Sequence, residues 1–118
     1  MGMLKGLEEI WKTEKLCDVT LVVDGDIFHV HRVVLASVSQ YFMAMFTGGI
    51  LESRKEVIEL NGVTATGLKA CLECVYSGEL DLSLENVSDI LGTANHLQVG
   101  IFVHLILCSY RVYTHIYL

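Results

Sequence analysis

Apolar residues recur along this chain at two spacings, and the changes from one to the other mark its elements. Leu4, Leu7, Ile10 and Trp11 stand three or four residues apart in LKGLEEIWK and make one face of a helix. Glu8, Glu9 and Lys12 fill its other side. The stripe suits either the domain's own core or a second chain. CDVTLVV then has β-branched density, and Asp24-Gly25 signals a tight hairpin before a second strand, IFHVH. RVVLASVS and SQYFMAMF predict two short helices meeting near Ser37 to Ser39, the second apolar nearly all round. VIEL gives a third short strand, closed by Asn61-Gly62. Thr64 is placed to cap a helix over ATGLKACLECVY, in which Leu68, Leu72 and Val75 share a face, and Gly78 to stop it left-handed. Ser83 is expected to cap the next helix, with Glu85 in its first turn. Leu84, Val87, Ile90, Leu91, Ala94 and Leu97 follow at the helical period. The order is that of an α/β (α+β) domain, a small sheet with mostly helical packing.

Composition sharpens this picture in one place. A chain of 118 residues is one domain, yet 53% of it is hydrophobic, so part of the apolar surface is expected against a partner. The excess concentrates in VGIFVHLILCSYRVYTHIYL, where Arg111 is the sole charge with His neutral. Its apolar run from Ile101 to Cys108 is too short to span a bilayer and is broken by His104. The chain is therefore expected to divide into a domain over residues 4–98 and an atypical apolar tail over 99–118.

Charge and candidate chemistry mostly exclude. A formal charge of −6 argues against a nucleic-acid surface. Four cysteines without a signal peptide suit a reducing compartment, cytoplasmic or nuclear. The start MGMLKG has Gly6 where a myristoylation signal needs Ser or Thr. Cys71 and Cys74 form CLEC, but no second pair follows at a zinc spacing, and the motif lies in a helical apolar pattern. Both are expected to be buried structural thiols. The DGD at Asp24 to Asp26 lacks the other oxygen ligands of a calcium loop. His29 and His31 alternate on a strand without a third ligand nearby, so they are expected as a packed pair at a strand–helix junction. No phosphate loop, G-x-S-x-G or H-E-x-x-H is present. The pattern favours an interaction module over an enzyme, with no metal, cofactor, nucleic acid or membrane as partner.

One stretch stays unexplained by the residues alone. FTGGILESRKEVIEL places Ile50 and Leu51 in a loop just ahead of Glu52. Taken in order, CDVTL, FHVHRVVLAS, YFMAMF, VIEL, YSGEL and LENVSDILGTANHLQ make the chain from about Leu4 to Val99 resemble a BTB/POZ domain of the Kelch-like group. The resemblance implies a homodimer formed through the first helix, by Leu4, Leu7, Ile10 and Trp11, and allows mixed dimers with other BTB proteins. It implies a charge pair, Asp18 and Arg32, near the dimer groove. It also implies an adaptor or scaffold of cullin-3 ubiquitin ligases, with Ile50-Leu51-Glu52 matching a hydrophobic-x-Glu pattern that contacts the cullin-3 N-terminal domain. Tyr41 and Phe42 match positions bordering that surface.

The match has two departures and two rivals. Only Met1 to Met3 precede the first helix, so a strand exchanged between subunits is expected to be missing, and the last twenty residues do not resemble the family's usual continuation. Without Kelch repeats there is no evident substrate-binding domain. The first rival is a transcriptional BTB domain that recruits co-repressor peptides through its dimer groove. The second is a channel-type tetramerisation domain, whose His/Cys zinc signature CLEC alone does not supply.

Overall fold

The computed structural model describes residues 2–49 and 55–99; the Leu4 side chain lies outside what is described. The chain runs α1 (Met3–Lys12), β1 (Val19–Val23), β2 (Asp26–Val30), α2 (Arg32–Val38), α3 (Gln40–Thr47), β3 (Val57–Glu59), α4 (Ala65–Ser77) and α5 (Val87–His96). The element order is the expected one, and the mixed α/β class holds. The tail over residues 100–118 lies outside the described residues, as does the loop motif Ile50-Leu51-Glu52.

The sheet has the order β2-β1-β3. β1 and β2 are antiparallel, with Val23 opposite Asp26, so Asp24 and Gly25 alone make the turn. Both have positive φ, 51° and 85°, as a two-residue hairpin turn matched to strand twist requires. Along β1 the buried residues alternate: Val19, Leu21 and Val23 are in the core, while Thr20 and Val22 are half-exposed. β3 runs parallel to β1, with Leu21 opposite Ile58. A parallel neighbour needs a crossover, and α2 and α3 provide it.

Ser39 both ends α2 and starts α3. Its hydroxyl accepts from Phe42 N–H at 3.1 Å and donates to Leu97 O at 2.6 Å, so it caps α3 and ties it to the end of α5. Thr64 caps α4, accepting from Gly67 N–H at 3.0 Å, and Gly78 closes it at φ 75°. Both follow the sequence expectation. α5 differs. Ser83 and Asn86 bond reciprocally, Ser83 N–H to Asn86 Oδ1 and Asn86 N–H to Ser83 Oγ. The residues between them form a turn, and the regular helix begins only at Val87. Leu84 is therefore 81% exposed rather than part of the apolar stripe, whereas Ile90, Ala94 and Leu97 are buried as expected. α4 and α5 approach closely at Gly67: a Cβ there would collide with Thr93 Oγ1 and the Asp89 carbonyl.

The main core gathers β1, Val30, Leu35, Phe42, Ile58, Leu68, Leu72 and Tyr76. Burying each large side chain contributes roughly 1.5–3 kcal/mol by area.

Candidate interaction surfaces

The first helix does not offer its whole apolar face to a partner. Leu7 and Trp11 are half-buried against the chain's own core, and the Trp11 ring stacks on Tyr76 at 4.7 Å and 7°. Ile10 is half-buried too, while Met3 is 84% exposed. The stripe thus divides, with Trp11 occupied from within the domain.

Beneath Trp11 lies a buried polar network that sequence reasoning missed. Tyr76 is fully buried, and its hydroxyl accepts from His31 N–H at 3.1 Å and bonds His31 Nδ1 at 2.8 Å. His31 Nε2 lies 2.8 Å from Lys15 O. Lys15 O can only accept, so Nε2 carries the proton and Nδ1 accepts from the tyrosine. Burial raises the Tyr76 pKa, outweighing the opposing His31 backbone bond, and keeps the hydroxyl protonated. The expected histidine pair is corrected here. His31 is buried, but His29 is exposed and bonds Thr20 Oγ1 across the strands at 3.1 Å: β2 ends at Val30, so His31, the N-cap of α2, has left the alternation that would put both rings on one face.

Asp18 and Arg32 do meet, but not as a head-on charge pair. Asp18 Oδ1 accepts from Arg32 backbone N–H at 2.7 Å, and the guanidinium donates to Asp18 O at 2.6 Å. Each side chain grips the other's backbone. The carboxylate thereby caps α2, whose own N-cap, His31, makes no side-chain cap bond. Arg32 also donates to Lys55 O and lies over the Phe46 ring at 5.6 Å. Among the described residues the only ion pair is Lys12 with Glu8, at 4.0 Å.

On the far side of the sheet, α3 and β3 bound an open groove of about 670 Å³. Tyr41, Met45 and Lys55 line it, with Val22, Val57 and Glu59. Tyr41 is half-buried and borders this surface, but Phe42 does not. Phe42 is 1% exposed, stacked near Phe46 with centroids 5.5 Å apart, and has no area left for a partner. The helical period turns it inward one position after Tyr41. Met45 and Val57 were not singled out by sequence; a 57% exposed valine on a sheet edge is visible only once β3 is placed.

The three cysteines among the described residues, Cys17, Cys71 and Cys74, are structural in geometry. Burial pushes the Cys71 thiol up to about 12, with Cys74 adding to it, and Cys74 up to about 11. Cys17, half-exposed, is also raised, by burial first and then by Glu14 and Asp18. None is activated toward thiolate chemistry. Among the described residues no three His, Cys, Asp or Glu side chains gather as a metal site, and no helix is long and apolar enough to cross a membrane.

Comparison with known proteins agrees with this geometry. Mouse Kelch-like protein 26 is 47% identical over 98 residues, covering 83% of this chain and 16% of that protein. Chicken zinc finger and BTB domain-containing protein 7A is 41% identical over 97 residues, covering 82% and 18%. The chain thus spans less than a fifth of the length of these relatives. The solved BTB domain of zebrafish PATZ1 superposes with a TM-score of 0.79 at 24% identity, covering 92% of this chain and 88% of that one. With a BTB/POZ domain model matching residues 7–109, the chain belongs to the BTB/POZ family of protein-interaction modules.

Proposed function

We propose that this domain is a homodimerising adaptor that presents its α3–β3 connection to the N-terminal domain of cullin-3, in the cytoplasm or nucleus. The observation that carries this reading is the open groove between α3 and β3, next to the point where the chain leaves Thr47 and returns at Lys55. Its half-buried Tyr41 and Met45 and exposed Val57 offer apolar area beside polar Lys55 and Glu59, the mixture found at protein interfaces. The 47% identity to a Kelch-like protein supports the same assignment. Ile50 then enters an apolar pocket on the cullin, Glu52 fixes the contact by hydrogen bonds, and Leu51 lies between them. Phe42 acts from beneath, by holding α3 in place. Dimerisation uses Leu4 together with the parts of Leu7 and Ile10 that the domain's own core leaves free, with Trp11 supporting the helix through Tyr76.

Calorimetric titration with the cullin-3 N-terminal domain tests the proposal, alongside an Ile50→Asp, Glu52→Ala variant. Saturable binding to the wild-type chain, lost in the variant, is the expected result. A folded wild-type chain that does not bind defeats it. The 41% identity to a zinc finger and BTB domain-containing protein favours a second reading, recruitment of a co-repressor peptide through the dimer groove. Peptide binding that survives the same double substitution, without cullin binding, is the outcome that selects it.

A further inference from the structure

The other edge of the sheet has a different character. Thr20 N–H bonds Glu56 O and Val22 O accepts from Leu60 N–H, so those β1 groups face β3. Alternation leaves Val19, Leu21 and Val23 to bond β2, opposite Val30, Phe28 and Asp26. On β2 the intervening residues, Ile27 and His29, therefore direct their N–H and C=O groups away from the sheet. Among the described residues no strand pairs with that side. Few of the usual guards of an open edge stand on it: DIFHV contains no lysine and no proline, its one charge is Asp26 at the turn end, and Ile27 is 61% exposed.

A cleft of about 500 Å³ runs along this edge, walled by Trp11 and by the end of α4. Five carboxylates line it, Glu8, Glu14, Glu73, Glu79 and Asp81, against one ammonium, Lys12, which already lies 4.0 Å from Glu8. Lys69 belongs to a separate recess of about 320 Å³ further along β2.

We propose that the β2 edge is a docking site for a basic, extended segment of another protein, which adds to the sheet as an outer strand. Its backbone pairs with Ile27 and His29, its lysines or arginines reach the carboxylates, and an apolar residue covers Ile27. A second copy of this chain is a poor occupant, because it carries a formal charge of −6 and the same acidic edge. The site is independent of the cullin reading: β2 and β3 are opposite edges of the sheet, so both can be engaged together.

A fluorescein-labelled decapeptide alternating lysine and valine tests the site by anisotropy titration of the whole chain. Three comparisons are made: a peptide with glutamate for lysine, a peptide N-methylated on alternate amides, and the chain carrying Glu79→Lys and Asp81→Lys. Both substituted residues are exposed, so the variant is expected to fold, as circular dichroism will verify. The lysine peptide is expected to bind, with affinity falling as salt is raised. The glutamate peptide should not bind, and N-methylation or charge reversal should each weaken binding by about tenfold or more. Absence of binding overturns the proposal, as does equal affinity for the N-methylated peptide or for the variant chain. Ile27 and His29 amides protected from exchange before peptide is added, more so at higher protein concentration, would place a second copy on the edge and overturn it too.

Discussion

Tyr76→Phe isolates the buried network under Trp11. The substitution removes one oxygen and keeps the ring that stacks on Trp11 at 4.7 Å. It leaves His31 N–H and His31 Nδ1 without their partner, both in a buried residue that is 4% exposed. Each unsatisfied buried group costs about 1–3 kcal/mol. Relief from burying a hydroxyl returns about 1 kcal/mol. The imidazole cannot escape by changing tautomer, since a proton moved to Nδ1 would be lost from the bond to Lys15 O. A net loss of about 3 kcal/mol follows. Urea unfolding measures it, followed by the fluorescence of Trp11, the one tryptophan in the chain. At a slope of about 1.5 kcal/mol/M the midpoint falls by about 2 M. Protein concentration must be matched, because any dimer adds stability by mass action. A double-mutant cycle with His31→Phe should give a coupling of about 1 kcal/mol or more. A Tyr76→Phe loss below about 0.5 kcal/mol would refute the reasoning, showing that water or a relaxed ring replaces the hydroxyl.

Three further predictions rest on separate features. Gly67→Ala places a Cβ against Thr93 Oγ1 and 3.0 Å from the Asp89 carbonyl carbon, so α4 and α5 must separate. The loss expected from such overpacking is about 1–3 kcal/mol by calorimetry or urea, despite alanine's better helix propensity; an unchanged or raised melting temperature would contradict it. Folded pKa values of about 12 for Cys71 and about 11 for Cys74 lie above the ordinary 9.0. Their contribution to stability is thus complete below pH 9 and lost as pH rises through about 11 and 12. Urea midpoints should accordingly be flat on the neutral side and fall in alkali, and a midpoint that rises through that range would contradict the assignment. Arg32→Lys keeps the charge but cannot donate to Asp18 O and Lys55 O while lying over Phe46. It should cost about 1 kcal/mol in the same assay, and a neutral result would mean the fork geometry is dispensable.

Local rules were legible where the signal was local. Asp24-Gly25, Thr64 and Gly78 each act through their own backbone, and each does in the structure what its residue type prescribes. Contacts between distant segments were not. The stripe on α1 has the same spacing whether it meets Tyr76 or a second chain, so Trp11 could not be assigned from periodicity. The family resemblance implied a charge pair at Asp18 and Arg32, but which atoms meet depends on how β1 enters the sheet beside α2. Phe42 matched a border position in an all-apolar helix, where sequence gives no inward direction. Gly67 drew no reading at all, because nothing near it in sequence announces Thr93 and Asp89.

Arg32 has a consequence for how this fold can diversify. Its guanidinium lies over Phe46, in the last turn of α3, and holds the carbonyl of Lys55, where the chain re-enters toward β3. One side chain thus clamps both ends of the connection between them. With its ends held, the entropy of closing a connection grows only slowly with its length, by about 0.6 kcal/mol per doubling. Residues there can be exchanged, inserted or deleted while the clamp and the sheet stay unchanged. The domain is built so that the sequence of this connection can evolve, or be grafted, separately from the scaffold that bears it.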